Sequence, residues 1–242
     1  DPLAVAGGLA AFVGMSVGER RGLPVIGTGM IPLTPTRAAD HRAVAESATM
    51  PAPGTLLLGT GAQAAGKSTI GRALAGLSAR GVFLDGDMFW RAVVAGRADM
   101  EEHPSAAALE QLHLRYRALG AAARIYAGAG FFTVMADNVY GDALQVVRTA
   151  VAPFRLVTVA LVPAPEAIAA RERNRGSDAY AAWAGAGRDL LDAVRTFSRW
   201  VRATPADLHH DSTDETPERT AAAVHAWMAR SSALAVASAF AV

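Results

Sequence analysis

The 242-residue chain contains no cysteine, which excludes disulfide frameworks, thiolate metal sites and thiol nucleophiles. It is almost without lysine: of 23 basic residues, Lys67 alone is lysine and the rest are arginine. No charge of one sign prevails, with 22 acidic side chains and a formal net charge of +1. There is no polybasic run either, so a nucleic-acid partner is not expected. Hydrophobic residues make up 52% of the chain, but about 55 residues are alanine. No stretch reaches the roughly 20 apolar residues of a membrane span, so no membrane partner is expected. In a chain that uses arginine everywhere else, a single lysine marks a position where a planar guanidinium would not serve.

The length suits one medium domain with an appendage. Residues 1–50 are rich in Gly and Pro and keep no period. They read as an extension or, alternatively, a small capping subdomain, with Met50 placed just before the first patterned strand. The charged start and cleavage pattern of a signal peptide are missing, and the protein is expected in the cytoplasm. Residues 51–232 carry the patterned domain. Residues 233–242 form an apolar tail too short for an anchor.

Within the domain, short apolar runs alternate with amphipathic segments. Strands are expected at 55–58, 82–84, 131–136, 156–162 and, weakly, 206–209. Helices are expected at 68–79, 105–128, 141–150, 165–174, 188–202 and 217–231. Such alternation predicts parallel βαβ units in a three-layer α/β domain.

Between the first strand and first helix lie Gly61, Ala62, Gln63, Ala64, Ala65, Gly66, Lys67 and Ser68, followed by Thr69. They fit G-x-x-x-x-G-K-[ST] at every fixed position. A glycine-framed loop turns successive backbone N–H groups toward phosphate oxygens, and the following helix adds its positive end. Lys67 brings a compact ammonium to the β and γ phosphates, and Ser68 offers a hydroxyl to Mg²⁺. These nine residues are the candidate nucleotide-binding set. Ala64 and Ala65 stand where smaller residues are common, which still leaves the backbone donors free.

Phosphoryl transfer further needs metal ligands, an oriented acceptor and charge neutralisation. The second strand runs into Leu84-Asp85-Gly86-Asp87, at the edge where α/β sheets bind ligands. Gly86 is expected to let the chain turn. One of the two carboxylates can take the acceptor's hydroxyl proton while the other serves the metal. The third strand ends at Asp137, which can act near Mg²⁺ or on a substrate hydroxyl. After the fourth strand come Arg171, Arg173 and Arg175, suited to a lid that neutralises developing charge. Trp90, Tyr116, Tyr140 and Trp183 are core residues or pocket walls.

This ordered set, completed by His210 to Thr213 and Pro217-Glu218, resembles the P-loop kinases of small molecules. The likeness is greatest to chloramphenicol phosphotransferase-like proteins, with adenylylsulfate kinases more distant; it covers residues 53–230. The resemblance implies a three-layer P-loop nucleoside-triphosphate-binding fold, a five-stranded parallel sheet with helices on both faces. It implies ATP and Mg²⁺, with Asp87 as general base and Ser68, Asp85 and Asp137 on the metal side. Arg171, Arg173 and Arg175 fall in the lid, the first and last acting with Lys67 in transfer and Arg173 on the nucleotide. Met88-Phe89-Trp90 after the aspartates depart from the polar residues of adenylylsulfate kinases and suit a more apolar acceptor. Ser177-Asp178-Ala179 depart from the Asp-Arg common after the lid glycine.

The function expected is transfer of the γ-phosphoryl group of ATP to a hydroxyl of a small molecule, such as a natural product, antibiotic or metabolite. The alternatives are a P-loop ATPase or switch without a small-molecule acceptor, and a nucleotide-sugar kinase similar to zeta toxins. A guanine-selecting N-K-x-D motif is impossible with one lysine. Nothing in the sequence sets an oligomeric state.

Overall fold

The computed structural model describes residues 55–239 apart from 178, 182 and 184–186. The extension over 1–50 lies outside the described residues, as do 240–242. At the centre runs β1 (Thr55–Gly61), whose apolar residues are buried on both sides, as in a parallel sheet covered on each face. Around it are β2 (Gly81–Asp85), β3 (Phe132–Ala136), β4 (Arg155–Leu161) and β5 (Leu208–His210). The five strands lie in the order β2-β3-β1-β4-β5, and every pair is parallel. This is the sheet the resemblance implies.

Helices cover both faces because successive strand residues point to opposite sides. Leu56 and Leu58 of β1 pack with Tyr116 and Leu119 of α3 (Ala106–Gly128) and with Leu144 and Val147 of α4 (Ala143–Val151). Leu57 faces the other way, into a cluster with Ile70 and Leu74 of α1 (Lys67–Gly76) and Val224 and Met228 of α7 (Pro217–Ala239). A third cluster joins Ala160 of β4 to α5 (Pro165–Arg175) and α6 (Leu190–Ala203). Beyond shifts of two or three residues at element ends, as where β1 runs on to Gly61 and α1 stops at Gly76, two elements differ from the sequence reading. A single turn, α2 (Asp87–Arg91), starts at the second aspartate. The last helix continues past 231 to Ala239, in an alanine-rich stretch of high helix propensity.

The sheet order places β1 between β3 and β4. The loops leaving β1, β2 and β3 therefore open at one carboxyl edge, where the strand order reverses and doubly wound sheets bind ligands.

Candidate active site

The loop from Gly61 to Ser68 links β1 to α1. Gly66 takes φ 98°, the left-handed region that favours glycine. No side chain caps α1 and no acidic residue enters its first turn, so its positive end is kept for an anion. Lys67 Nζ donates to the carbonyls of Gly61 (3.1 Å) and Ala62 (2.8 Å). Its enclosure pushes the ammonium down to about 8, against the pull of Asp137, Asp87 and Asp85. Ser68 Oγ donates to Asp85 Oδ2 at 2.9 Å.

Asp85 ends β2, and its other oxygen accepts from the backbone N–H of Asp87 at 3.1 Å. This bond fixes the start of α2 and with it the direction of the Asp87 side chain. Asp87 lies 3.8 Å from Arg91 and 3.9 Å from Arg115. Asp137, one residue past β3, is 4% exposed. Its Oδ1 accepts from Asn138 N (2.7 Å) and Arg115 Nη2 (2.5 Å). Burial pushes this carboxyl up to about 6, opposed chiefly by the Arg115 guanidinium. Arg115 projects from α3, which Ser105 caps and which Tyr116 pins to the end of β3 through a 2.5 Å bond to the Asn138 carbonyl.

The expected reason for Gly86 needs correction. Its φ of −59° and ψ of −29° are ordinary helical values open to any residue. What demands glycine is close approach: a Cβ there would collide with Asp137 Oδ2. The buried carboxylate occupies the space a side chain would fill.

Arg171 Nη2 donates to the carbonyls of Ser212 (2.9 Å) and Thr213 (3.1 Å), tying α5 to the loop after β5. A cavity of about 470 Å³ brings these parts together, within the size range of small-molecule sites. Its walls include Gln63 through Ile70, Asp85, Asp87, Asp137, Arg171 and Arg175. Gly61 and Ala62 support the loop from outside the wall. Arg173 is exposed and outside it too.

The sequence profile of the chloramphenicol phosphotransferase-like proteins matches residues 54–229. The chain belongs to the chloramphenicol phosphotransferase-like family. It is a small-molecule phosphotransferase that uses ATP. A tunicamycin resistance protein from Deinococcus radiodurans shares the fold, with a TM-score of 0.52 at 14% identity over 74% of this chain and 95% of that one. So does a sugar kinase from Janibacter sp., with a TM-score of 0.50 at 17% identity over 72% and 94%. No curated protein matches by sequence. No described helix is long and apolar enough to cross a membrane.

Several residues of this phosphotransferase site carry no motif. Arg91, Asn138 and Glu215 join the cavity wall, beside Ser212 and Pro217 of the set singled out in the sequence, and Arg115 supports two of its carboxylates from behind. Arg115 left one trace in the sequence, a cation beside the apolar face of a long helix. Of the four aromatics singled out, none lines this cavity. Tyr116 is core, Trp90 lies under Arg97, and Tyr140 and Trp183 join Phe197 and Trp200 in an aromatic cluster.

Proposed function

We propose that this domain transfers the γ-phosphoryl group of ATP to a hydroxyl of a small molecule, a natural product, antibiotic or metabolite, with Asp87 as general base. The observation that carries the reading is convergence. The phosphate loop, Lys67, the strand-two aspartates and two arginines from α5 face one cavity, although they come from separate segments.

Each residue has a part. The backbone of residues 61–68 and Lys67 hold the phosphates, and Lys67 with Arg171 and Arg175 neutralises charge at the transferring group. Asp87 accepts the proton of the acceptor hydroxyl as its oxygen attacks phosphorus. Ser68 and Asp85 fit Mg²⁺: a hydroxyl and a carboxylate 2.9 Å apart are hard oxygen donors. They leave the remaining positions to phosphate and water, the ordinary way this ion is held. When bound, that ion supplies charge neutralisation at the phosphates. Asp137, engaged by Arg115, serves from behind the metal side. The kinase domain is taken as residues 51–232, acting in the cytoplasm.

The test is a screen of hydroxylated natural products, antibiotics and metabolites with ATP and Mg²⁺, read by mass spectrometry. The expected result is an acceptor that gains one phosphoryl group as ATP becomes ADP. Hydrolysis of ATP to free phosphate, stimulated by a protein and by no small molecule, would contradict the reading.

A further inference from the structure

The turn inside the phosphate loop places a residue with a side chain where glycine is the usual occupant. The carbonyl of Ala62 accepts from Ala65 N at 3.2 Å, closing a four-residue turn with Gln63 and Ala64 at its centre. Among the described residues Ala64 is the non-glycine with positive φ, at 60°. Gln63 has no positive φ, so this is a type II turn, whose third position ordinarily takes glycine. An L-residue there is strained by its Cβ.

Type I and type II turns differ by a flip of the central peptide. Here that peptide carries the Gln63 carbonyl on one edge and the Ala64 N–H on the other. Tyr180 Oη donates to the Gln63 carbonyl at 2.8 Å. Tyr180 lies beyond α5, 2% exposed, with its ring edge-on to Phe197 at 5.4 Å. Burial and the nearby Glu172 push its phenol upward, so the hydroxyl stays a donor. Gln63 and Ala64 line the cavity and Tyr180 does not. The hydrogen bond thus holds the carbonyl oxygen on the side away from the phosphates. A flipped peptide would present that oxygen to them, a repulsive dipole in place of a donor.

We propose that Tyr180 is a positioning residue for the nucleotide. Its bond to the Gln63 carbonyl locks the 63–64 peptide in the type II orientation, compensates for alanine at a glycine position, and thereby sets the affinity of the loop for ATP. The inference rests on the same loop binding the phosphates of ATP.

The test is calorimetric titration of ATP, with Mg²⁺, into the full chain and into Tyr180→Phe, Ala64→Gly and the double variant. Phenylalanine keeps the packed ring, and thermal unfolding checks each fold. Loss of one hydrogen bond in Tyr180→Phe should weaken ATP binding about three- to tenfold. Ala64→Gly alone is the reference against which the double variant is compared. Combined with Tyr180→Phe it should recover most of the loss, because glycine holds the turn unaided. Unchanged affinity in Tyr180→Phe would overturn the proposal. So would a loss that Ala64→Gly leaves unrepaired, which would mark Tyr180 as a packing residue only. Failure of the parent chain to bind ATP would strike the nucleotide reading itself, and the proposal with it.

Discussion

The two sides of the cavity are built by different means. The loop side is backbone: the consecutive residues Gly61 to Ser68, of which Gln63 onward line the cavity, turn the chain from β1 into α1. The carboxylate side is made of side chains from distant segments, with Asp85 and Asp87 from β2 and α2, Arg115 from α3, and Asp137 from the end of β3. Local chain geometry suffices for the first. The second exists only when helix α3 docks on the sheet and brings a guanidinium between two carboxylates. The loop should accordingly respond to changes in turn geometry, and the carboxylate side to changes in charge balance and volume.

The largest effect on stability should come from the charge balance. The Arg115 side chain is 13% exposed and its partner Asp137 1%. Arg115→Met leaves a buried carboxylate without its counter-ion, a loss of about 3–5 kcal/mol, to be read by chemical denaturation. The carboxyl of Asp137 already stands at about 6, above its ordinary value. Such a group supports the fold when protonated and loses that support as pH rises from about 4 through 6. The deficit of the Arg115 variant should therefore be smaller at pH 5 than at pH 8, and Asp137→Asn in that background should shrink it at pH 8. A deficit independent of pH would detach Arg115 from Asp137.

A smaller loss follows from volume. Gly86→Ala puts a methyl group into the Asp137 carboxylate and should cost about 1–3 kcal/mol, the usual range for overpacking. Gly76→Ala, at the end of α1 with nothing within 4 Å of the added carbon, should be neutral or slightly stabilising. Equal melting temperatures for these two variants would mean that Asp137 does not press on Gly86.

The same contrast explains what the sequence discloses. The phosphate loop and its lysine are contiguous, and each position answers to a local requirement, so they can be read directly. The five-stranded parallel sheet follows from the strand–helix alternation together with the family likeness. Arg115 could not be read: its role depends on Asp137, 22 residues further along and on another element. Gly86 was visible, but the reason for it was not, since the constraint is a carboxylate arriving from β3 rather than a bend in its own chain. Tyr180 and Gln63 are 117 residues apart, and no local pattern announces a hydroxyl that steadies a peptide at such range. Helix α2 is a single turn, too short to show periodicity.

The most direct test of the central claim, that both sides of this cavity serve one phosphoryl transfer, is the turnover of Asp87→Asn with an acceptor from the screen, measured beside its ATP affinity. Asparagine keeps the shape of the side chain and removes its capacity to take a proton. Turnover should fall about 10²–10⁴-fold while ATP binds within a few-fold of the parent. Turnover near that of the parent, with ATP still bound, would contradict the account.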